Sequence, residues 1–174
     1  KAFELGFHKM PIAEEFGGLG LDASTIGMIW EELARYGVGF AATLMSCATV
    51  PRIITFIASG NKGLVDRYVI PFCEDTTGTQ ISAWGSSEPN LGSDGSNYYA
   101  PDVRHSTTAT RKDGCYYITG AKSDWISNGG IANVYTIFAC LEPSLGIRGS
   151  GTFIIPTEAL GVTKGKAVDK IGLR

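Results

Sequence analysis

Histidine is nearly missing from this chain: only His8 and His105 occur in 174 residues, too few to build a histidine-based metal site. The four cysteines, Cys47, Cys73, Cys115 and Cys140, contain no C-x-x-C pair, which argues against zinc and dithiol redox motifs. Apolar neighbours around Cys47 and Cys140 point to buried, reduced thiols, and so to an intracellular, reducing compartment. A dominant charge sign is also lacking. The 15 basic and 17 acidic residues leave a formal net charge of −2, so no global basic surface supports a nucleic-acid partner. Long apolar runs are short supply too. The uncharged run Tyr36 to Pro51 has 16 residues, below the roughly 20 needed to cross a bilayer, so no membrane span is expected. Its Gly, Ala, Ser and Thr content suits a helix buried in protein. No signal peptide is read. The chain starts at Lys1 without methionine and reads as a fragment, from which a targeting segment could have been lost. Internal repeats and low-complexity tracts are absent. What remains, 44% hydrophobic and 18% charged residues, describes a well-packed globular chain with one core or two small sub-domains.

The periodicity changes near residue 75. Asp22 is placed to cap a helix in which Ile26, Ile29, Trp30 and Leu33 share one face, while Glu31, Glu32 and Arg35 face outward. Gly37 should stop it. A second helix, over about 40 to 58, is apolar nearly all round, and Pro51 should bend or divide it. A third, about 62 to 70, should stop at Pro71. From Thr79 the period falls to two. "TQISAW", "STTATRK", "CYYITGAK", "NVYTIFACLE" and "GTFIIPTEA" read as strands separated by Gly, Asn, Asp or Pro. No helical pattern lies between them, so an antiparallel sheet or barrel is expected and a Rossmann cofactor site is not. The expected fold class is α+β: a helical-bundle portion over 1–75, then an antiparallel β-barrel domain over 76–174, incomplete at its C-terminus.

Two stretches of the β half are chemically unusual. In "WGSSEPNLGSD", residues 84–94, Ser86, Ser87 and Ser93 supply hydroxyls, and Gly92 allows close backbone approach to a ligand. Clustered N–H and O–H donors suit a phosphate or a heteroaromatic edge; a plain surface turn of small residues is the alternative. In "GAKSDWISNGG", residues 120–130, Trp125 stands in a polar setting two residues before Ser127. Its ring reads either as a core plug or as the wall of a planar cofactor site.

Taken in order, five segments resemble the acyl-CoA dehydrogenase family of flavoenzymes. They are "EEFGGLGLD" (14–22), "WEELARYG" (30–37), "SSEPNLGSD" (86–94), "YYITGAKSDWISNGGIANVYTIFA" (116–139) and "GTFIIPTEALGVTKGKAVDKIGLR" (151–174). They parallel the family's glycine-rich segment and following helix, its T-E-P-x-x-G-S-D loop, its G-x-K-x-W-I-T-N strand and loop, and a later stretch of the middle β domain. The resemblance implies FAD as cofactor, with Trp84, Ser86, Ser87, Gly92, Ser93, Trp125, Ile126 and Ser127 around it. Ser87 would meet the pyrimidine edge of the flavin, and Ser93 would lie near the pyrophosphate and the acyl-CoA substrate. Trp125 would pack on the ring, and Ser127 would stand for the threonine at its N5/O4 edge. The implied reaction is α,β-dehydrogenation of an acyl-CoA thioester, with electrons passing to electron-transfer flavoprotein or another acceptor. The family's base is a glutamate of a C-terminal helical domain, which would follow Arg174; no catalytic residue is assigned, and Glu88 is read as structural. Family members form tetramers or dimers, in bacterial cytoplasm or the mitochondrial matrix.

Three departures stand out. Both signature threonines are serine here (Ser87, Ser127). One extra residue separates Lys122 from Trp125, which a bulge would absorb. "GSNYYAPDVRH" is longer than in most relatives and reads as a solvent-exposed insertion, with Tyr98, Tyr99 and Arg104 at the substrate entrance as the alternative. A flavin monooxygenase or oxidase of the same superfamily, or a non-catalytic FAD-binding subunit, are the competing functions.

Overall fold

In a computed structural model, which describes residues 1–123 and 125–171, the apolar stripe from Ile26 to Leu33 becomes the inner face of helix α1 (Ala23–Tyr36). Asp22 caps it as expected. Its Oδ1 accepts the Ser24 and Thr25 N–H groups at 2.9 and 3.0 Å, satisfying donors that have no partner within the helix. Gly37 ends it, its N–H returning to the Leu33 carbonyl.

The apolar stretch expected as one helix is two, α2 (Val38–Ser46) and α3 (Thr49–Ile57). Pro51 divides it without disrupting a turn. It is the third residue of α3, where an N–H would find no helical partner anyway. Across this break Val38–Ile57 forms a 20-residue segment of hydropathy 1.5, long and apolar enough to cross a membrane by length and composition alone. The uncharged run ends at Arg52, which does not interrupt the apolar character of this longer segment. Leu44, Cys47, Ala48, Val50 and Ile54 nevertheless turn into the protein, where they form a core with Ile12, Val65, Val69 and Phe72.

The third helix does not stop at Pro71. Short α4 (Lys62–Leu64) runs through a π-helical turn (Val65–Val69) into α5 (Ile70–Glu74), with Pro71 inside α5. The π turn explains the tolerance. The Ile70 N–H bonds to the Val65 carbonyl, five residues back, so the wider helix accommodates a residue that lacks its own donor.

All five expected strands form: β1 (Ser82–Gly85), β2 (Thr108–Lys112), β3 (Cys115–Thr119), β4 (Val134–Cys140) and β5 (Ser150–Pro156). Their arrangement corrects the expectation of an antiparallel barrel. The sheet is mixed and open. β4 pairs antiparallel with β5 along its whole length, but β1 runs parallel to β4, from Ser82↔Val134 to Gly85↔Ile137. β2 and β3 form a hairpin whose Asp113-Gly114 turn has φ of 51° and 79°, the left-handed pair a tight hairpin needs. This hairpin meets β4 only at Thr108↔Cys140. One edge of β4 is therefore shared end to end by β1 and β2, with a gap between them. The sheet packs on the helices through Ile81, Val134 and Ile154.

Candidate functional site

The loop that follows β1 is closed on itself. Glu88 and Leu91 exchange backbone hydrogen bonds of 2.9 and 3.1 Å across Pro89 and Asn90. Beyond them the Gly92 N–H is held by the Asp94 carboxylate at 2.7 Å, and Ser93–Ser96 forms one tight turn. Trp84, at the third position of β1, is left 42% exposed and leans on Phe138 with ring centroids 4.8 Å apart.

The second unusual segment lies alongside. Gly120 has φ of 147°, and a Cβ there would sit 2.6 Å from the Thr107 Cα, so only glycine lets the chain leave β3 here. The Ser123 N–H then donates to the Ser87 carbonyl at 3.0 Å, joining the two loops backbone to backbone. Farther on, Asn128 takes a left-handed conformation (φ 63°), and its amide donates to the carbonyls of Thr43 in α2 (2.9 Å) and Ser82 in β1 (3.4 Å). Trp125 is 68% exposed, with the Lys170 ammonium 5.2 Å from its ring centroid. The bulge expected at Asp124 lies outside the described residues.

Glu88 is the electrostatic centre of this junction. Its side chain is 1% exposed, yet it is fully partnered. Oε1 accepts from the Lys122 ammonium at 2.7 Å and the Thr107 N–H at 3.1 Å; Oε2 accepts from the Ser106 N–H at 2.6 Å and the Ser106 hydroxyl. Burial pushes this carboxyl up, but the bonds from Lys122, Ser106 and Thr107 outweigh it and hold it at about 2. His105 lies beside it, Nδ1 at 3.5 Å from Oε1, and burial together with the Lys122 charge lowers its proton affinity. A carboxylate so saturated cannot act as a base near neutral pH. Its role is structural.

The expected site residues separate into three groups. Ser86 and Ser87 sit where the loops meet, half-buried, with their carbonyls accepting from Lys122 (3.4 Å) and Ser123. Ile126 packs against the cluster of Ala83, Ala132 and Tyr135, so its side chain anchors the segment. Trp84, Gly92, Ser93, Trp125 and Ser127 are exposed. Among the described residues no hydrogen bond engages the hydroxyls of Ser87, Ser93 or Ser127. Unpaired hydroxyls and exposed indole rings on two joined loops are the residue types that suit a flat, hydrogen-bonding ring system. Tyr98, Tyr99 and Arg104 are also exposed, as a surface insertion would be. The reading of motifs missed Lys122 and Asn128 as tethers, although both stand inside the quoted G-A-K and S-N-G motifs. A cavity of about 360 Å³ lies elsewhere, between the N-terminal segment and α5 around Phe3, Lys9, Phe16 and Cys73.

Comparison with known proteins adds to this geometry. Residues 1–76 match the N-terminal domain of acyl-CoA dehydrogenases, and residues 83–174 match their middle domain. The short-chain-specific acyl-CoA dehydrogenase of Megasphaera elsdenii is 35% identical over 174 residues, covering 97% of this chain and 42% of that protein. The structure of butyryl-CoA dehydrogenase from Megasphaera elsdenii superposes with a TM-score of 0.81 at 33% identity, over 98% of this chain and 43% of that one. An FAD complex of PigA superposes with a TM-score of 0.78 at 29% identity, over 97% and 42%. The chain thus spans about two fifths of the length of the relatives it matches.

Proposed function

Since the chain belongs to the acyl-CoA dehydrogenase family, we propose that it carries the FAD-facing walls of an enzyme that α,β-dehydrogenates an acyl-CoA thioester. The observation that supports this reading is the joining of loops 84–94 and 120–130, with Trp84 and Trp125 exposed and the hydroxyls of Ser87, Ser93 and Ser127 without a hydrogen-bond partner among the described residues. We read residues 1–75 as part of an N-terminal helical domain and 76–174 as part of a middle β domain. Bound FAD would supply the two-electron acceptor that no side chain provides. The protein's part is to bind and orient. Ser87 and Ser127 would offer hydroxyl donors to the ring edge, Trp125 an apolar wall, Gly92 close backbone approach, and Ser93 a hydroxyl near the pyrophosphate and the thioester substrate. Donors fixed before the reaction stabilise developing negative charge without reorganising. With Glu88 engaged, this carboxylate is not the base for the α proton. Electron-transfer flavoprotein or a similar acceptor would be the electron-accepting partner.

The test is reduction of the FAD-loaded, full-length protein by a panel of acyl-CoA thioesters, followed by the flavin absorbance and an artificial electron acceptor. Bleaching by at least one thioester is expected. A flavin that no thioester bleaches would sink this reading.

A further inference from the structure

Lys122 occupies the gap on the β1/β2 edge of β4. β1 pairs as far as Ile137, and β2 rejoins only at Cys140, whose N–H takes the Thr107 carbonyl at 2.8 Å. The Phe138 carbonyl between them is taken by the Lys122 ammonium at 2.6 Å. The same ammonium holds Glu88 at 2.7 Å and approaches the Ser86 carbonyl at 3.4 Å. Its side chain is only 10% exposed. One cation thus ties together β4, the loop after β1 and the loop after β3, the last through its own backbone. Ser87 immediately precedes Glu88, and Trp125 lies three residues beyond Lys122.

We infer that Lys122, paired with Glu88, is a positioning residue that sets the spacing between the Ser87 wall and the Trp125 wall of the proposed FAD site. The inference rests on the function proposed above. The bond to Phe138 fills the gap in the sheet; the pairing with Glu88 neutralises the buried ammonium and in doing so fixes a distance between the two loops that carry Ser87, Trp84 and Trp125. A buried ion pair is weak evidence for stability, but it imposes one geometry, because either charge left alone in the interior is costly. Neither Lys122 nor Glu88 touches the cofactor in this reading. Each acts through its neighbours.

The experiment compares Lys122→Met and Glu88→Gln with the wild-type full-length protein. It measures FAD affinity by fluorescence titration, thermal stability of the apoprotein, and the absorbance spectrum and midpoint potential of the flavin at saturating FAD. Both variants should raise the Kd for FAD about tenfold or more, the scale of losing a supporting residue behind a binding site. Both should also shift the spectrum and potential of the saturated flavin. Should Lys122→Met fail to fold, Glu88→Gln, which keeps the side-chain shape and one acceptor, carries the comparison. A lower melting temperature with unchanged Kd, spectrum and potential marks a purely structural pin and overturns the inference. Failure of the wild-type protein itself to take up FAD instead overturns the proposed function.

Discussion

Asn128 does two jobs that no other side chain does as well. Its φ of 63° lies in the left-handed region that asparagine tolerates and alanine does not, and its amide reaches carbonyls in α2 and β1. We expect Asn128→Ala to cost about 1–3 kcal/mol, from the lost hydrogen bonds and the added backbone strain. Asn128→Gly should recover part of that loss, because it removes the strain but not the missing bonds. Urea midpoints of the two variants separate these contributions; equal values for both would contradict the account. The residue was visible in the S-N-G motif, but nothing local announced its partners. Thr43 lies 85 positions away, and only the packed structure brings its carbonyl within reach. Glu88 shows the opposite case. The family resemblance implied a structural role for it, and its buried, saturated carboxylate is consistent with that.

At the scale of elements, the junction between α2 and α3 depends on a strand. The Ser82 hydroxyl accepts the Val50 N–H at 3.0 Å, donates to the Cys47 carbonyl, and lies 3.0 Å from the Thr49 hydroxyl. One side chain therefore satisfies groups from both helix ends at the break. Ser82→Ala should destabilise the protein by about 1–3 kcal/mol, since it leaves the buried Val50 N–H unpaired, while the Cys47 carbonyl keeps the Ser82 N–H. Amide exchange should speed up at Val50 and neighbouring positions while the β4–β5 pairing stays protected. Unchanged exchange at Val50 would refute the role given to Ser82. The helix and strand positions were legible because burial on one face imposes a period of 3.6 or 2 on the sequence. The parallel pairing of β1 with β4 was not legible, because it depends on the path of residues 86–133 and not on any local pattern. The passage of a helix through Pro71 was missed for a related reason: the preceding π turn has no sequence mark of its own.

For the whole molecule, acid sensitivity follows from two buried histidines. Burial lowers His8, against the opposing bond to the Phe72 carbonyl; burial and then the Lys122 charge lower His105. Below the ordinary value of 6.5, the unfolded chain takes up protons that the folded chain resists, so stability should fall as pH drops through that value. A second loss should follow at lower pH. Burial raises both Glu88 and Asp75, but their hydrogen bonds prevail and hold each at about 2, below ordinary values of 4.5 and 3.8. The stability these carboxylates contribute is present above their ordinary values and is lost as pH falls toward about 2. Urea denaturation from pH 8 downward should show both phases, and a profile flat from pH 8 to 5 would rule out the first. The sequence by itself determined the helical and strand periods, the order of the family motifs and the two loops that bear hydroxyls and indoles, because local burial and turn chemistry write themselves into residue order. Only the tertiary structure decided that the sheet is mixed and open, and that Lys122 bridges the gap in β4 to join those loops. Contacts between residues tens of positions apart depend on where the chain returns, which no local period encodes.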